Sequence, residues 1–309
     1  MRALITGATG LIGKHLLGRI ENSVVLSRNA DEARRRLGKV EAHAWNPEGG
    51  PAPAEAIRGV EAVFNLAGEP VFEGRWTEEK KRRIRDSRVV GTRNLVSAIA
   101  ASESRPKVLV SASAVGYYGD RGDEELDECS SAGDGFLAEV CVDWEREAMA
   151  AEQLGIRVVC VRIGIVLAPG GGALAAMLTP FRLGIGGRLG NGRQWMPWVH
   201  IKDLAGVMLH ASRNDSIRGP INAVAPRPVT NVDFTRALAH AVHRPALLPV
   251  PGIALRLALG ESSEILLASQ RVFPKVAENS GYVFEHPDLA GALNDVMTST
   301  GQSSTARIP

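Results

Sequence analysis

Cysteines are few in this chain of 309 residues, and long apolar runs are missing. The three cysteines, Cys129, Cys141 and Cys160, are odd in number and widely spaced, and they form no C-x-x-C pair. This pattern argues against a disulfide framework and against a zinc site, so we expect no bound metal. No apolar run reaches the roughly 18 residues that a membrane-spanning helix needs, so we expect no membrane partner.

A large excess of charge of either sign is also missing. The 36 basic and 34 acidic side chains leave a net charge of +2, which provides no broad basic field for nucleic acid. The residues after Met1 lack the layout of a signal peptide. We therefore expect a cytoplasmic protein that acts on a small molecule and does not bind nucleic acid.

Lysine and tyrosine are scarce. The chain has 29 arginines but only seven lysines, and no lysine lies between Lys107 and Lys202. The residues four positions after the three tyrosines are Arg121, Gly122 and His286. The chain therefore contains no Tyr-x-x-x-Lys sequence.

Short β-branched runs alternate with longer amphipathic stretches over the first 165 residues. The pattern predicts strands at 3–6, 23–26, 40–44, 62–66, 107–111 and 157–162, and helices at 11–20, 78–101 and 136–154. Alternating strands and helices predict an α/β fold, with a doubly wound parallel sheet that is covered by helices on both faces.

The pattern changes after about residue 164, where glycine-rich stretches at 169–172 and 184–192 indicate loops. Helical periodicity returns at 202–212, 231–242 and 287–297. We predict a dinucleotide-binding domain at 1–165, to which 194–225 return. Residues 166–193 and 226–297 would form a smaller C-terminal α/β substrate lobe. Residues 298–309 are rich in Ser and Thr, and we expect a disordered tail.

A glycine-rich turn follows the first predicted strand and opens a helix. Gly7 would permit the tight turn, Gly10 the approach of a pyrophosphate, and Gly13 close packing of the helix on its strand. The helix N-terminus offers N–H groups and a positive dipole to the phosphates. We expect Thr9, Leu11 and Ile12 to share this cofactor contact. A glycine-rich turn without a ligand is the structural alternative.

The end of the second predicted strand indicates which dinucleotide is bound. NAD-binding proteins place an acidic residue there for the ribose hydroxyls, whereas this strand ends in Ser27 and Arg28. A hydroxyl followed by a guanidinium suits a 2′-phosphate, so the sequence favours NADP. The alternative is that Arg28 is a solvated surface arginine.

Five segments in this order resemble the extended short-chain dehydrogenases/reductases, in the branch of nucleoside-diphosphate-sugar-epimerase relatives. They are the glycine loop, N-L-A-G at 65–68, V-G-T-R-N-L at 90–95, S-A-S-A-V-G-Y-Y-G at 111–119 and W-V-H-I-K-D-L at 198–204. The resemblance runs from residue 1 to about 296. It implies a Rossmann NADP-binding core whose cofactor contacts include Asn46, Asn65, Leu66, Ala67, Gly68, Glu69, Ile163 and Gly164.

The predicted active site departs from that family, whose members use Ser, Tyr and Lys in Y-x-x-x-K, backed by an Asn. Alignment on Trp144 and Glu145 places Leu137 at the Tyr position and Cys141 at the Lys position. Arg88 replaces the Asn, and Ser113 alone is kept. This pattern resembles a narrower epimerase-like group with its own C-terminal extension, here 249–296. Members of that group are described as sugar-epimerase-like or as cell-division-associated, so the resemblance supplies no substrate.

Several side chains could replace the lost tyrosine. Cys141 is a candidate acid or nucleophile if a nearby cation lowers its pKa, and Arg88 could be that cation or could bind the cofactor. Tyr117 or Tyr118 could donate a proton. The structural alternatives are that Cys141 is a small buried hydrophobe and that the tyrosines serve packing. We expect Ser113 to line the site because its strand ends at the ligand crevice.

Two functions remain open at this point. The first is an NADP(H)-dependent oxidoreductase or epimerase that acts on a small carbonyl, hydroxyl or nucleotide-sugar substrate. The second is a non-catalytic NADP(H)-binding sensor or regulatory protein. The loop at Arg75 and Trp76 could close over the cofactor, and Arg193 and Gln194 could bind substrate. We expect a structural role for His200, and a homodimer through the helices at 78–101 and 136–154 is a further hypothesis.

Overall fold

Thirteen strands and twelve α-helices lie in the part of the chain that the structure describes. The computed structural model describes the backbone of residues 1–305 and the side chains of residues 1–299. The strands are β1 (Arg2–Thr6), β2 (Asn22–Ser27), β3 (Glu41–Ala44), β4 (Ala62–Asn65), β5 (Val108–Ala114), β6 (Glu125–Leu126), β7 (Arg157–Ile163), β8 (Ile165–Leu167), β9 (Trp195–Met196), β10 (Trp198–His200), β11 (Gly219–Ala223), β12 (Val229–Thr230) and β13 (Arg271–Val272).

The helices alternate with these strands through most of the chain. They are α1 (Leu11–Leu17), α2 (Ala30–Leu37), α3 (Ala54–Ile57), α4 (Glu78–Ala100), α5 (Phe136–Met149), α6 (Gly172–Arg182), α7 (Ile201–Arg213), α8 (Asn231–Ala241), α9 (Gly252–Leu259), α10 (Glu264–Leu267), α11 (Lys275–Asn279) and α12 (Leu289–Thr305). In the part of the chain that the structure describes, none of the helices has the length and apolarity needed to cross a membrane.

Seven parallel strands form the main sheet, in the order β11-β7-β5-β4-β1-β2-β3. The predicted doubly wound α/β fold is therefore confirmed, and all six predicted strands lie in this sheet. The seventh, β11, lies at its edge beside β7. Because parallel strands end at the same edge of a sheet, the residues that follow β1, β2, β4, β5 and β7 border one crevice.

Both faces of the sheet are buried, which explains its nearly continuous apolar strands. Ile5 of β1 packs in a cluster that contains Leu204 and other residues of α7. The preceding Leu4 points to the opposite face and packs in a cluster with Leu95 of α4. A buried side chain of this size contributes about 1.5–3 kcal/mol, so the helices that cover the two faces are what holds the sheet.

The C-terminal lobe has its own core and is joined to the sheet by buried carboxylates. Leu178, Trp198, Phe234 and Leu293 are buried in one cluster. Asp203, at the start of α7, is fully buried and accepts hydrogen bonds from the backbone N–H groups of residues 285 and 286. This carboxylate of α7 therefore holds the segment at 285–286, which lies more than 80 residues further along the chain. The proposed division of the chain into two domains stays a prediction.

Helix α12 enters the stretch from residue 298 in which a disordered tail was expected, and that expectation stays a prediction. The helix continues to Thr305, and residues 306–309 lie outside the described part of the chain. Its buried residues Leu289, Leu293 and Val296 hold the first turns on the lobe, and the Thr298 hydroxyl donates to the carbonyl of Asn294. Once a helix has formed, each further residue adds one backbone hydrogen bond and loses the conformational entropy of only one residue. The Ser- and Thr-rich composition of this stretch did not predict the extension of the helix.

His200 is a structural histidine, as the sequence suggested. Its Nδ1 accepts the backbone N–H of Lys202 and caps the N-terminus of α7, and its ring lies 3.9 Å from that of His286. The ligand atoms of His200, His286 and Asp295 lie within 4.8 Å of one another. However, an Nδ1 that accepts leaves the proton of the neutral ring on Nε2, which then cannot bind a metal. Nε2 faces Asp295 at 3.3 Å without hydrogen-bond alignment.

Acid should destabilise the protein through His200. Burial lowers its pKa to about 4 from 6.5, with His286, Lys202 and His15 adding to the effect and Asp295 opposing it. Because the folded state favours the neutral ring, this stability is complete above pH 6.5 and is lost as the pH falls towards 4. We expect a contribution of roughly 2 kcal/mol to disappear between pH 7.5 and pH 5.

Urea unfolding of His200→Asn at the two pH values measures this contribution. Asparagine can still cap the helix but cannot take up the proton, so the pH dependence should become shallower by that amount. The exposed His240→Asn variant is the control and should retain the wild-type dependence. An identical pH dependence in His200→Asn and wild type would contradict the assignment.

Candidate cofactor and active site

The turn between β1 and α1 has the shape that the glycine motif predicts. Gly7 has φ +68°, and a Cβ at this position would lie 2.8 Å from the Leu66 carbonyl oxygen. A Cβ at Gly13 would lie 2.4 Å from the Gly7 carbonyl oxygen. Only glycine fits at either position without moving the backbone. Thr9, Leu11 and Ile12 lie on the turn and the first residues of α1.

The N-terminus of α1 is open to an anion. Its N-cap residue, Gly10, has no side chain to accept from the first N–H groups, and the first turn has no acidic residue. Uncapped N–H groups and the helix dipole together favour a phosphate. Leu11 lies against the backbone of Gly171 and Gly172 at the start of α6, so the C-terminal lobe begins beside this turn.

Ser27 is the last residue of β2, and Arg28 follows it at the edge of the sheet that borders the crevice. The Ser27 hydroxyl donates to the Asn29 carbonyl at 3.1 Å, so it is engaged in a local turn. Arg28 is exposed, and its charge is among those that lower the pKa of Glu69. Asn46 follows β3, is also exposed, and accepts from the Glu48 N–H. The two exposed side chains are accessible to a ligand.

The side chain of Asn65 is fully engaged within the protein. Its Oδ1 accepts from the Thr6 hydroxyl at 2.9 Å, and its Nδ2 donates to Thr92 and Ser111 at 2.8 and 3.3 Å. The Thr6 oxygen in turn accepts the N–H groups of Leu66 and Ala67. These bonds use both N–H donors of the Asn65 amide and let Asn65 shape the backbone at 66–68. The cofactor contact of Asn65 stays a prediction.

Arg88 reaches from α4 to the backbone at the end of β4. Its guanidinium lies against Gly68, and Nη1 donates to the carbonyls of Glu69 and Ile84, both at 3.0 Å. Burial lowers the pKa of Arg88, although nearby Glu69 opposes the shift. Lys80 Nζ donates a hydrogen bond to the Glu69 carboxylate at 2.8 Å, and this bond lowers the pKa of Glu69. Lys80 is therefore a buried ion-pair partner of Glu69.

A buried ion pair lies behind Ser113. The Ser113 hydroxyl donates to Glu145 Oε1 at 2.6 Å, and Arg162 donates to both carboxylate oxygens at 2.9 Å. Ser113 and Arg162 are neighbours on β5 and β7, and Glu145 comes from α5. Burial alone would lower the pKa of Arg162, but the hydrogen bonds and charge of Glu145 raise it well above its usual value. The guanidinium therefore remains charged.

Both tyrosines of the 3₁₀ turn Val115–Tyr118 contact Arg162. The guanidinium carbon lies 3.4 Å from the ring centre of Tyr117, and Nη1 donates to the Tyr118 hydroxyl at 3.0 Å. Tyr118 donates to Asn222 Oδ1 at 2.8 Å, and burial raises its pKa to about 12. Tyr118 thus holds its proton near neutrality and belongs to the supporting network. Tyr117 is partly exposed.

Cys141 does not have the properties of a catalytic thiol. It is buried on α5 behind Gly116, and burial together with the charge of Glu145 raises its pKa to about 11. Arg88 and the hydroxyl of Ser113 oppose this rise without cancelling it. The role of Cys141 as acid or nucleophile stays a prediction, and this geometry argues against it because desolvation outweighs the cation that was expected to activate the thiol.

The outer side chains mostly serve the structure. Arg75 donates to the Leu257 carbonyl at 3.2 Å, and Trp76 packs edge-on against Phe136. Gln194 is buried and its Nε2 donates to two backbone carbonyls, whereas Arg193 is exposed. Substrate contact by these two residues stays a prediction.

The crevice is closed off beyond β7 by a tight backbone approach. The residue after Ile163 is Gly164, where a Cβ would lie 2.4 Å from the Pro197 carbonyl oxygen. Gly164 also donates its N–H to the carbonyl of Ala223. These contacts hold the chain after β7 against Pro197 and Ala223. The cofactor contact of Ile163 and Gly164 stays a prediction.

Sequence reasoning did not select Arg162 or Glu145 as site residues. Glu145 was used only to align the chain with the family, and Arg162 lies near the end of an apolar strand. The available signal was the strand itself, R-V-V-C-V-R-I at 157–163, in which a guanidinium interrupts a fully buried run. Charged side chains are almost never buried without a partner, so Arg162 required a carboxylate near it.

The fold and the crevice define a dinucleotide-binding α/β protein of the short-chain dehydrogenase/reductase type. The model of the NAD dependent epimerase/dehydratase family matches residues 3–223, and a Domain of unknown function (DUF1731) matches residues 250–296. The chain belongs to the NAD dependent epimerase/dehydratase family, and the predicted resemblance and C-terminal extension are confirmed.

Relatives similar over nearly the whole chain support this assignment. The epimerase family protein Mb2239 of Mycobacterium bovis is 41% identical over 303 residues, which cover 96% of this chain and 98% of that protein. YfhF of Bacillus subtilis is 38% identical over 302 residues, with 96% and 98% covered. The crystal structure of human epimerase family protein SDR39U1 (isoform 2) with NADPH has a TM-score of 0.85 and 34% identity, and covers 96% of this chain and 99% of that chain.

Thiol reactivity tests the assignment of Cys141. Of the three cysteines only Cys129 is exposed, whereas Cys141 and Cys160 are buried with raised pKa values. In the native protein we expect Ellman's reagent to modify one thiol per chain at pH 8, and three after unfolding in guanidinium. Cys129→Ser should leave none that reacts in the native state. Rapid native modification of that variant, lost in Cys129→Ser/Cys141→Ser, would contradict the assignment.

Proposed function

We propose that this protein binds NADP(H) in the crevice at the carboxyl ends of β1, β2 and β4. The uncapped N-terminus of α1 and the tight turn at Gly7 fit a pyrophosphate. Arg28 would bind the 2′-phosphate, and the backbone at 66–68 would border the ribose. The human relative whose title names NADPH supports the choice of cofactor. When bound, the cofactor supplies or accepts a hydride.

Arg28→Ala should weaken NADPH binding much more than NADH binding. The two cofactors differ only in the 2′-phosphate, and a hydrogen bond to a charged group contributes about 1.5–3 kcal/mol. We expect roughly a ten- to hundredfold loss of NADPH affinity by fluorescence titration, with NADH affinity nearly unchanged. The exposed Arg35→Ala on α2 is the matched control. Equal losses for both cofactors would refute the assignment of Arg28.

The proposed reaction is the oxidation of an alcohol or the reduction of a carbonyl, in a substrate held next to Ser113. The observation that carries this proposal is the 2.6 Å bond from the Ser113 hydroxyl to Glu145. The proton of the Ser113 hydroxyl is directed at the Glu145 carboxylate, so the Ser113 oxygen is free to accept a proton from a substrate hydroxyl. As it does so, the original Ser113 proton moves to Glu145 Oε1. In the reduction of a carbonyl, the two protons move in the opposite direction.

Other residues support this proton path. Arg162 holds both oxygens of Glu145 and so fixes the carboxylate relative to Ser113. Arg88 and Tyr117 would border the substrate or the nicotinamide end of the cofactor. We propose a small carbonyl, hydroxyl or nucleotide-sugar compound as the substrate, together with a cytoplasmic location and a homodimer.

Ser113→Ala should abolish turnover while keeping the cofactor bound. NADPH oxidation is measured with a panel of aldehydes, ketones and nucleoside-diphosphate 4-keto-sugars, and NADP reduction with the corresponding alcohols. General acid–base catalysis by one positioned group contributes about 10²- to 10⁴-fold, so the variant should lose roughly that factor in kcat. NADPH affinity, measured in parallel, should change less than about threefold because Ser113 is not among the residues that hold the phosphates.

Ser111→Ala is the matched control, because Ser111 is also buried on β5 but bonds Asn65 and not Glu145. It should retain turnover. Equal loss of turnover in both variants would overturn the role of Ser113. NADPH binding without turnover of any compound would instead favour an NADP(H)-binding sensor or regulatory protein. The raised pKa values of Cys141 and Tyr118 agree with that function, because neither side chain readily gives up its proton.

A further inference from the structure

Six large aliphatic side chains are exposed on two neighbouring segments of the C-terminal lobe. They are between 56% and 79% exposed, and we call them the aliphatic patch: Leu183, Ile185, Leu247, Leu248, Ile253 and Leu257. Isolated exposed leucines are normal, but large apolar clusters on a surface mark an interaction site. Helix α9, which carries two of them, has no buried residue at all.

Backbone hydrogen bonds hold the two segments side by side. Val250 N–H donates to the Arg188 carbonyl, and Gly190 N–H donates to the Val250 carbonyl, both at 2.8 Å. The Arg244 side chain donates to the Arg182 carbonyl at 3.4 Å. The patch is therefore a continuous feature of the folded lobe, built from residues about 65 positions apart.

The surroundings of the patch are basic. No aspartate or glutamate occurs at 153–202 or at 234–260, the two stretches that contain both segments. Five exposed arginines lie on the same two stretches, namely Arg182, Arg188, Arg193, Arg244 and Arg256. Among the described residues, these five arginines form no ion pair with a carboxylate; the hydrogen bonds of Arg188 and Arg244 go to backbone carbonyls. Their charge is therefore available to an anionic partner.

We propose that this face binds the surface of an anionic lipid bilayer. Aliphatic side chains flanked by unpaired cations match an interface in which acyl chains lie below negatively charged headgroups. A second copy of the chain is disfavoured because a two-fold contact would bring the arginines of both copies together. The patch also has none of the aromatic residues that enrich protein interfaces. The expectation of no membrane partner was based on the absence of a long apolar run, and this proposal departs from it because surface binding needs no spanning helix.

Sedimentation of the full-length protein with vesicles tests the proposal. We use equimolar phosphatidylcholine and phosphatidylglycerol, with pure phosphatidylcholine for comparison. In 0.1 M salt the protein should sediment with the anionic vesicles and not with the neutral ones, and 0.5 M salt should release most of it. Leu247→Ser/Leu248→Ser and Arg182→Gln/Arg256→Gln should each weaken binding at least tenfold, since each change removes two exposed contacts.

Phe72→Ser/Val283→Ser is the matched control, because it removes two exposed apolar side chains that lie outside the patch. It should bind like the wild type, and thermal melting confirms that all variants fold. Failure of the wild type to bind anionic vesicles would overturn the proposal, as would unchanged binding by both patch variants. Concentration-dependent self-association that the patch variants abolish, without vesicle binding, would assign the patch to a second copy instead.

Discussion

The buried pair of Arg162 and Glu145 is the constraint on which the active-site end of the sheet depends. Two charges removed from water cost several kcal/mol each, and only close geometry and further hydrogen bonds offset that cost. Here two 2.9 Å bonds join the pair, and Ser113 and Tyr118 contribute two more. Removal of either charge would strand the other, at a cost of about 3–5 kcal/mol. The positions of Ser113 and of both tyrosines follow from this pair.

Scarcity of lysine has a physical counterpart in this crevice. A lysine beside a tyrosine can lower the phenol pKa, whereas Tyr118 is buried and its pKa is raised to about 12 despite the nearby Arg162. Arginine keeps its charge at any physiological pH, so it fixes other groups without exchanging protons itself. In the proposed reaction, the groups that exchange protons are the Ser113 hydroxyl and the Glu145 carboxylate. The stretch without lysine between Lys107 and Lys202 is thus consistent with a proton path that uses no lysine.

The sheet was predictable because its signal is local and repeated. Each strand is a short apolar run flanked by turn residues, and Gly7, Gly10 and Gly13 mark the first turn by their lack of a side chain. The active site was less predictable because its key contacts join residues far apart, such as Ser113 and Glu145. Sequence position suggested that Arg88 would activate Cys141, but burial decides the thiol pKa, and burial cannot be read from spacing.

Asp203 has a consequence for the order in which the molecule assembles. The N–H groups that satisfy its carboxylate lie 82 and 83 residues further along the chain. During synthesis at about 5–20 residues per second, α7 leaves the ribosome several seconds before those partners exist. Contacts of such long sequence separation also form slowly. Until those partners are made, the Asp203 carboxylate of the nascent sheet remains exposed to water. It becomes fully buried only when the C-terminal segment docks, and this step completes the folded chain.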